Sequence, residues 1–187
     1  MADSNTSIIF EAGQLKRIRR SGWLLAGIEN PETVAEHSYR AALIGFLLAE
    51  KMGLDSGKVM KMLLFHDLPE ARIGDHNKLQ ARYVDLGDAE MKAAEEQAKL
   101  MGEFGAGYLE LLKEFNEGQS SEAVLAQDVD KLECAIQAKE YLDIGYSRCE
   151  DWLNNIGKGL KTKECKEIFA ELRKGNSYTW WNGLKKL

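Results

Sequence analysis

Proline is almost missing. There are two in 187 residues, against abundant alanine, leucine, lysine and glutamate, a balance that favours long helices over strands. Cysteine is scarce too: Cys134, Cys149 and Cys165 are odd in number and show no C-x-x-C spacing, so they read as reduced thiols filling a core. No apolar run approaches the roughly 18 residues that a membrane span needs. The opening Met1-Ala2-Asp3-Ser4-Asn5-Thr6 lacks the basic and apolar regions of a secretory leader, which makes the cytoplasm the expected compartment. Surplus positive charge is absent as well. The 25 Lys and Arg face 30 Asp and Glu, a net charge of -5, so no general basic field exists to hold DNA or RNA. A local basic patch for a small phosphorylated ligand remains compatible with that balance. What is present, 44% hydrophobic and 29% charged residues, describes an ordinary globular protein, and its size suits a single domain over residues 1–187.

Helical periodicity runs through the chain and no segment reads as a confident strand, so the expected fold class is all-α. Residues 7–20, with Ile8, Ile9, Phe10, Leu15 and Ile18, read as one amphipathic helix ending in the basic cluster Lys16, Arg17, Arg19 and Arg20. Residues 26–32 form a loop by their Gly, Asn and Pro content. Thr33 and Glu36 have the spacing of a capping box and open a helix that runs to about Met52 and stops at Gly53. Asp55 or Ser56 caps the next helix. Pro69 should break it and open a turn that holds Glu70. A turn over 73–77 leads into a polar surface loop or lid reaching Gly87. Helices are expected over 88–103 and 108–115, and from Ser120 or Ser121 to about Leu142. The tail from Trp152 through Trp180-Trp181 adds two or three more, the paired tryptophans serving packing or subunit contacts.

The chemistry concentrates at His66-Asp67, which ends an apolar run starting at Val59. At helical spacing His66 shares a face with Val59, Met62 and Leu63. Asp67 continues the stripe of Met60, Leu63 and Leu64, so both are expected to point inward. A buried carboxylate beside a buried imidazole is costly unless its charge is compensated, and a divalent cation is the simplest compensator. His37 lies on the stripe of Ala41, Ile44 and Leu48. Asp130 lies beside Leu125, Val129, Leu132 and Ile136, flanked by the small residues Ala123, Ala126 and Cys134 that let another helix approach. Alone, His37 would be an ordinary core histidine. With His66, Asp67 and Asp130 from two further helices it becomes part of a ligand set suited to Mn, Co, Fe, Ni or Zn, with positions left for water and substrate. Glu133, one turn after Asp130, supports that set or is a surface acid.

This His…His-Asp…Asp pattern resembles the HD-domain metal-dependent phosphohydrolase superfamily. The segments Gly13-Gln14-Leu15-Lys16-Arg17, Arg20-Ser21-Gly22-Trp23, 31–40 around Val34-Ala35-Glu36-His37, His66-Asp67-Leu68-Pro69-Glu70 with Gly74-Asp75, and Asp130-Lys131-Leu132-Glu133 are similar to its 5′-deoxynucleotidase branch. The resemblance covers a core of about 13–142, with helices over 148–187 packing on it. It implies a single helical HD-domain fold, with the metal site between core helices and hydrolysis of nucleoside 5′-monophosphates, preferably deoxynucleotides. It also implies a divalent cation (Mn, Co, Fe, Ni, Zn or Mg) held by His37, His66, Asp67 and Asp130, and a homodimer or larger homo-oligomer. By the same resemblance Glu70 and Asp75 orient or deprotonate the attacking water or protonate the departing 5′-oxygen, or hold a second metal with His76. Arg20 and Trp23 bind substrate. One departure stands out: bacterial members of the branch carry Arg directly before the Trp, where this chain has Gly22, leaving Arg20 as the nearest substitute.

Three other readings compete. A related hydrolase of a cyclic nucleotide, deoxynucleoside triphosphate or alarmone would use the same metal, but larger relatives of that kind carry extra segments. A non-catalytic, metal-stabilised helical module would have no need of Glu70 and Asp75. Nucleic-acid binding is disfavoured by the acidic balance and by the lack of aromatic residues interleaved with basic ones.

Overall fold

The computed structural model describes residues 5–184. Residues 1–4 and 185–187, which include most of the stretch read for a leader and both ends of the expected domain, lie outside the described residues. In chain order the helices are α1 (Asn5–Ala12), α2 (Gly22–Leu25), α3 (Val34–Met52), α4 (Ser56–Phe65) and α5 (Glu70–Ile73), then α6 (Gly87–Leu100), α7 (Gly105–Glu117), α8 (Ser121–Asp143), α9 (Glu150–Gly159) and α10 (Lys163–Lys174). Short 3-10 turns join several of them. The fold is all-α, and among the described residues the only β-type pairing is an isolated bridge between Arg19 and Thr33.

The helix starts follow the capping rules. The Thr33 hydroxyl accepts the Glu36 amide at 3.2 Å while the Glu36 carboxylate accepts the Thr33 amide at 2.6 Å, the reciprocal box expected at the head of α3. Asp55 caps α4 and Ser120 caps α8. One expected helix breaks up. Over 7–20 the helical part ends at Ala12, a 3-10 turn covers Gly13–Lys16, and the chain then runs alongside residues 32–34. There the Arg20 amide donates to the Glu32 carbonyl at 3.0 Å and the Val34 amide to the Ile18 carbonyl at 3.0 Å. That pairing with a segment beyond the loop takes the backbone bonds a continued helix would have used.

Helix α8 runs through the interior with Leu125, Val129, Leu132, Ala135 and Ala138 fully buried, and α3, α4, α7, α9 and α10 pack around it. Helices α3 and α4 meet at Gly45, where a Cβ would lie 2.2 Å from Leu63 Cδ1. Only a residue without a side chain lets the two backbones approach so far. Further along, Gln97 of α6 is fully buried. Its Nε2 donates to the Leu68 carbonyl at 2.9 Å and its Oε1 accepts the Tyr108 hydroxyl at 2.9 Å, pinning the turn between α4 and α5. Cys149 and Cys165 are buried, Cys134 is partly so, and all three are free thiols. Of the two roles expected of Trp180 and Trp181, packing within the chain is not seen: both are largely exposed and lie against each other, which leaves the subunit contact.

Candidate metal centre

His37 projects from the inner face of α3, His66 caps the end of α4, Asp67 follows it in the turn, and Asp130 comes from α8. The four meet. His37 Nε2 lies 3.1 Å from Asp130 Oδ1 and 3.7 Å from Asp67 Oδ2, and His66 Nε2 lies 3.2 Å from Asp67 Oδ1 and 3.6 Å from Asp130 Oδ1. Donors about 2.1 Å from one cation stand roughly 3.0 to 3.4 Å apart when adjacent, so these spacings suit a single ion. The donor atoms of His37, His66 and Asp67 all fall within 4.8 Å of one another.

Both imidazoles are turned for ligation. Glu133 holds His37 Nδ1, and the Leu63 carbonyl accepts from His66 Nδ1 at 2.9 Å, so each ring directs Nε2 at the centre. Those two buried Nε2 atoms have no hydrogen-bond partner. Burial and Arg20 both oppose a charge on His37, yet its contacts to Asp130 and Glu133 override them and push its pKa up to about 10. The same acids that favour a proton on this ring would favour a cation, which takes the proton's place on the neutral Nε2. The residues present therefore fit a divalent metal.

The route by which Asp67 reaches the centre differs from the expected one. Met60 and Leu64, the stripe it was to continue, are exposed on the outer side of α4. The helix ends at Phe65, and the turn over 66–69 redirects the carboxylate inward. Glu133, a candidate for a surface position, is fully buried; Arg40 donates to it at 2.7 Å and to Glu140 at 2.8 Å.

The other residues singled out by sequence surround the same centre. Arg20 Nη1 contacts Asp67 Oδ2 at 3.2 Å and Asp75 Oδ1 at 3.4 Å. The Asp75 Oδ2 atom also accepts the Ser21 amide and hydroxyl, both at 2.6 Å. Gly74, at φ 82°, makes the left-handed turn that brings Asp75 round to this position. Glu70, at the head of α5, keeps Oε2 buried without a partner. Burial first, then the charges of Asp67 and Asp75, push its carboxyl up to about 10. His76 lines the neighbouring cavity and engages the Gly74 carbonyl through Nδ1 at 2.9 Å; with Glu70 and Asp75 it forms no second donor group as tight as the first among the described residues. Trp23 is 2% exposed. Its indole N–H donates to Glu32 Oε1 at 2.9 Å and its ring packs on Tyr141 and Trp152.

Beside the centre opens a cavity of about 420 Å³. Its walls include Arg20, Glu70, Asp75 and Asp130 at one side and Asp151, Trp152, Asn155 and Ile156 of α9 at another. Nothing in the local sequence pattern of the α9 residues places them near Arg20, Glu70 and Asp75, more than 70 positions earlier.

An HD-domain family model matches residues 12–173. The chain is 37% identical over 141 residues to the 5′-deoxynucleotidase HDDC2 of Dictyostelium discoideum, covering 69% of this chain and 73% of that protein. It is 27% identical over 168 residues to the 5′-deoxynucleotidase HDDC2 of Homo sapiens, covering 86% and 80%. Among solved structures, a conserved hypothetical protein from Pyrococcus furiosus superposes with a TM-score of 0.76 at 37% identity, over 91% of this chain and 99% of that one. A protein from Magnetospirillum magnetotacticum described as a predicted metal-dependent phosphohydrolase superposes at 0.70 with 27% identity, over 90% and 89%. With the ligand pattern, the helical fold and these matches in agreement, the chain belongs to the HD-domain family, in the branch of the HDDC2-type 5′-deoxynucleotidases.

Proposed function

We propose that this protein is a metal-dependent phosphohydrolase that releases phosphate from nucleoside 5′-monophosphates, deoxynucleotides in particular, through a centre formed by His37, His66, Asp67 and Asp130. The observation that carries this reading is the convergence of two buried, unpartnered imidazole nitrogens with two carboxylates at the wall of an open cavity. A divalent cation held there supplies Lewis acidity, lowering the pKa of water and offsetting phosphate charge. The ligand set accepts Mn, Co, Fe, Ni, Zn or Mg.

The chain's own side chains divide the remaining work. Arg20 is held at the edge of the centre by Asp67 and Asp75, with its guanidinium facing the cavity where a phosphate would enter. Glu70 carries the proton. It passes that proton to the 5′-oxygen as the P–O bond breaks, and recovers one from the water that adds to phosphorus. Asp75, tied to Ser21 and Arg20, orients the arginine rather than moving a proton. The protein acts in the cytoplasm on a small-molecule substrate, as one domain over 1–187 and as a homodimer or larger homo-oligomer.

The test is phosphate release by purified protein with Mn²⁺ or Co²⁺ from dAMP, dGMP, dCMP, dTMP and their ribonucleotide forms. Turnover is expected on the deoxynucleotides, with a loss of about 10³-fold or more in Asp67→Ala, the cost of dismantling a catalytic centre. Absence of release from every monophosphate would refute the reading.

A further inference from the structure

The proposed function accounts for one end of the cavity. A phosphate held beside Asp130, Arg20 and Glu70 leaves the sugar and base to occupy the rest of the roughly 420 Å³, a volume suited to a ligand of nucleotide size. The far wall is α9. It contributes Asp151, Trp152, Asn155 and Ile156, none of which serves the metal centre.

Trp23, the aromatic that sequence resemblance points to, lines the cavity as well but offers it almost no free surface. Its ring is buried, its N–H is taken by Glu32, and Tyr141 stands edge-on at 5.3 Å. Trp152 is the more exposed of the two tryptophans that line the cavity. It packs on Trp23 at 5.6 Å with a 33° tilt and is half-buried, and its indole N–H donates to no group among the described residues. A Cβ on Gly22 would lie 4.0 Å from Trp152 Nε1 and 3.9 Å from Asn77 Cβ, so a longer side chain growing from position 22 would crowd the space in front of that nitrogen. Glycine there keeps it open. Asn155 stands three residues beyond Trp152, on the same side of α9, and its exposed amide offers both a donor and an acceptor.

We propose that Trp152 and Asn155 form the nucleoside-binding wall of this cavity, Trp152 as the stacking platform and N–H donor and Asn155 as a polar contact, with Trp23 serving as the buried support that fixes Trp152. This inference rests on the phosphohydrolase reading for the placement of the phosphate. Every base has a π-face, so such a wall tolerates all four bases and selects for the presence of a base over its absence.

The experiment compares dAMP and dCMP with 2-deoxyribose 5-phosphate, which carries the same phosphoester and no base. In Trp152→Ala, kcat/KM for both nucleotides is expected to fall at least tenfold further than kcat/KM for the sugar phosphate. Trp152→Phe should recover most of the difference, which a merely unfolded variant would not do. Equal losses on all three substrates, or no loss on the nucleotides, would overturn the proposal. Calorimetric titration of deoxyadenosine, which contains no phosphate, into wild-type protein and Trp152→Ala reads the wall without turnover. Binding by the wild type that is weakened tenfold in the variant supports it, and no binding by the wild type overturns it. Wild-type protein that binds deoxyadenosine yet hydrolyses nothing would refute the phosphohydrolase reading and leave the wall standing.

Discussion

Glu133 holds the ring of His37, one of the proposed ligands, in place. Its carboxylate sits fully buried against His37 Nδ1, and Arg40 donates to it from the other side. Burial works against the charge on Glu133, but the His37 and Arg40 contacts outweigh it and hold the carboxyl below its usual range. An anion at Nδ1 fixes the tautomer and raises the basicity of Nε2, the atom offered to the cation. Glu133→Gln keeps the shape and removes that charge. Metal affinity is expected to drop about 10- to 100-fold, measured by calorimetric titration of Mn²⁺ with circular dichroism confirming an intact fold. An unchanged affinity would show that Nδ1 needs no charged partner. At this scale the sequence was most informative where residue type and helical period coincide. His37 and Asp130 sit where their stripes put them. Glu133 was ambiguous because a one-turn offset from Asp130 says which face it shares but not what lies opposite. Asp67 came out right for the wrong reason: the period was carried past Phe65, where the helix had already stopped.

The helices hold these side chains in register, and α3 and α4 are closely joined at Gly45. A Cβ at Gly45 would stand 2.2 Å from Leu63 Cδ1 and 3.0 Å from Val59 Cγ1. Leu63 also supplies the carbonyl that fixes the His66 ring, so separating the helices at this joint disturbs the centre directly. Gly45→Ala gains helix propensity of about 1 kcal/mol but overpacks a closed contact, which costs about 1–3 kcal/mol. The expected outcome is a net loss of stability in urea unfolding together with weaker metal binding. The double variant Gly45→Ala/Leu63→Ala should recover the overpacking part, since neighbouring sites couple. Additive losses would mean that the contact at Gly45 is not what limits the approach. Element starts and stops were legible from Thr33-Glu36, Gly53, Asp55 and Ser120 because caps are local chemistry. The break in the helix expected over 7–20 was not, because residues 18–20 exchange backbone bonds with 32–34 across a loop, and no window along the sequence contains both partners.

At the scale of the whole molecule, α3 is apolar on two sides. Its inner face carries His37, Ala41 and Leu48 into the core, while Tyr39, Leu43, Phe46 and Leu47 lie outward, 38–70% exposed. Their spacing of four, three and one follows the period of a helix-pairing seam, and they expose roughly 500 Å² between them on the area scale of large apolar side chains. Two such faces brought together would bury about 1,000 Å², the lower bound for a specific interface. A second copy of this chain, meeting α3 against α3 across a twofold axis, satisfies that bound with a single self-complementary patch. The expected result is a dimer by light scattering, converted to monomer by Leu43→Glu, which places a charge in the middle of the seam. A wild-type monomer at micromolar concentration would rule the pairing out. Because this face lies on the opposite side of α3 from His37, the monomeric variant should keep its metal affinity. Dimerisation would then cover apolar surface rather than build the centre, whose four proposed ligands all come from one chain.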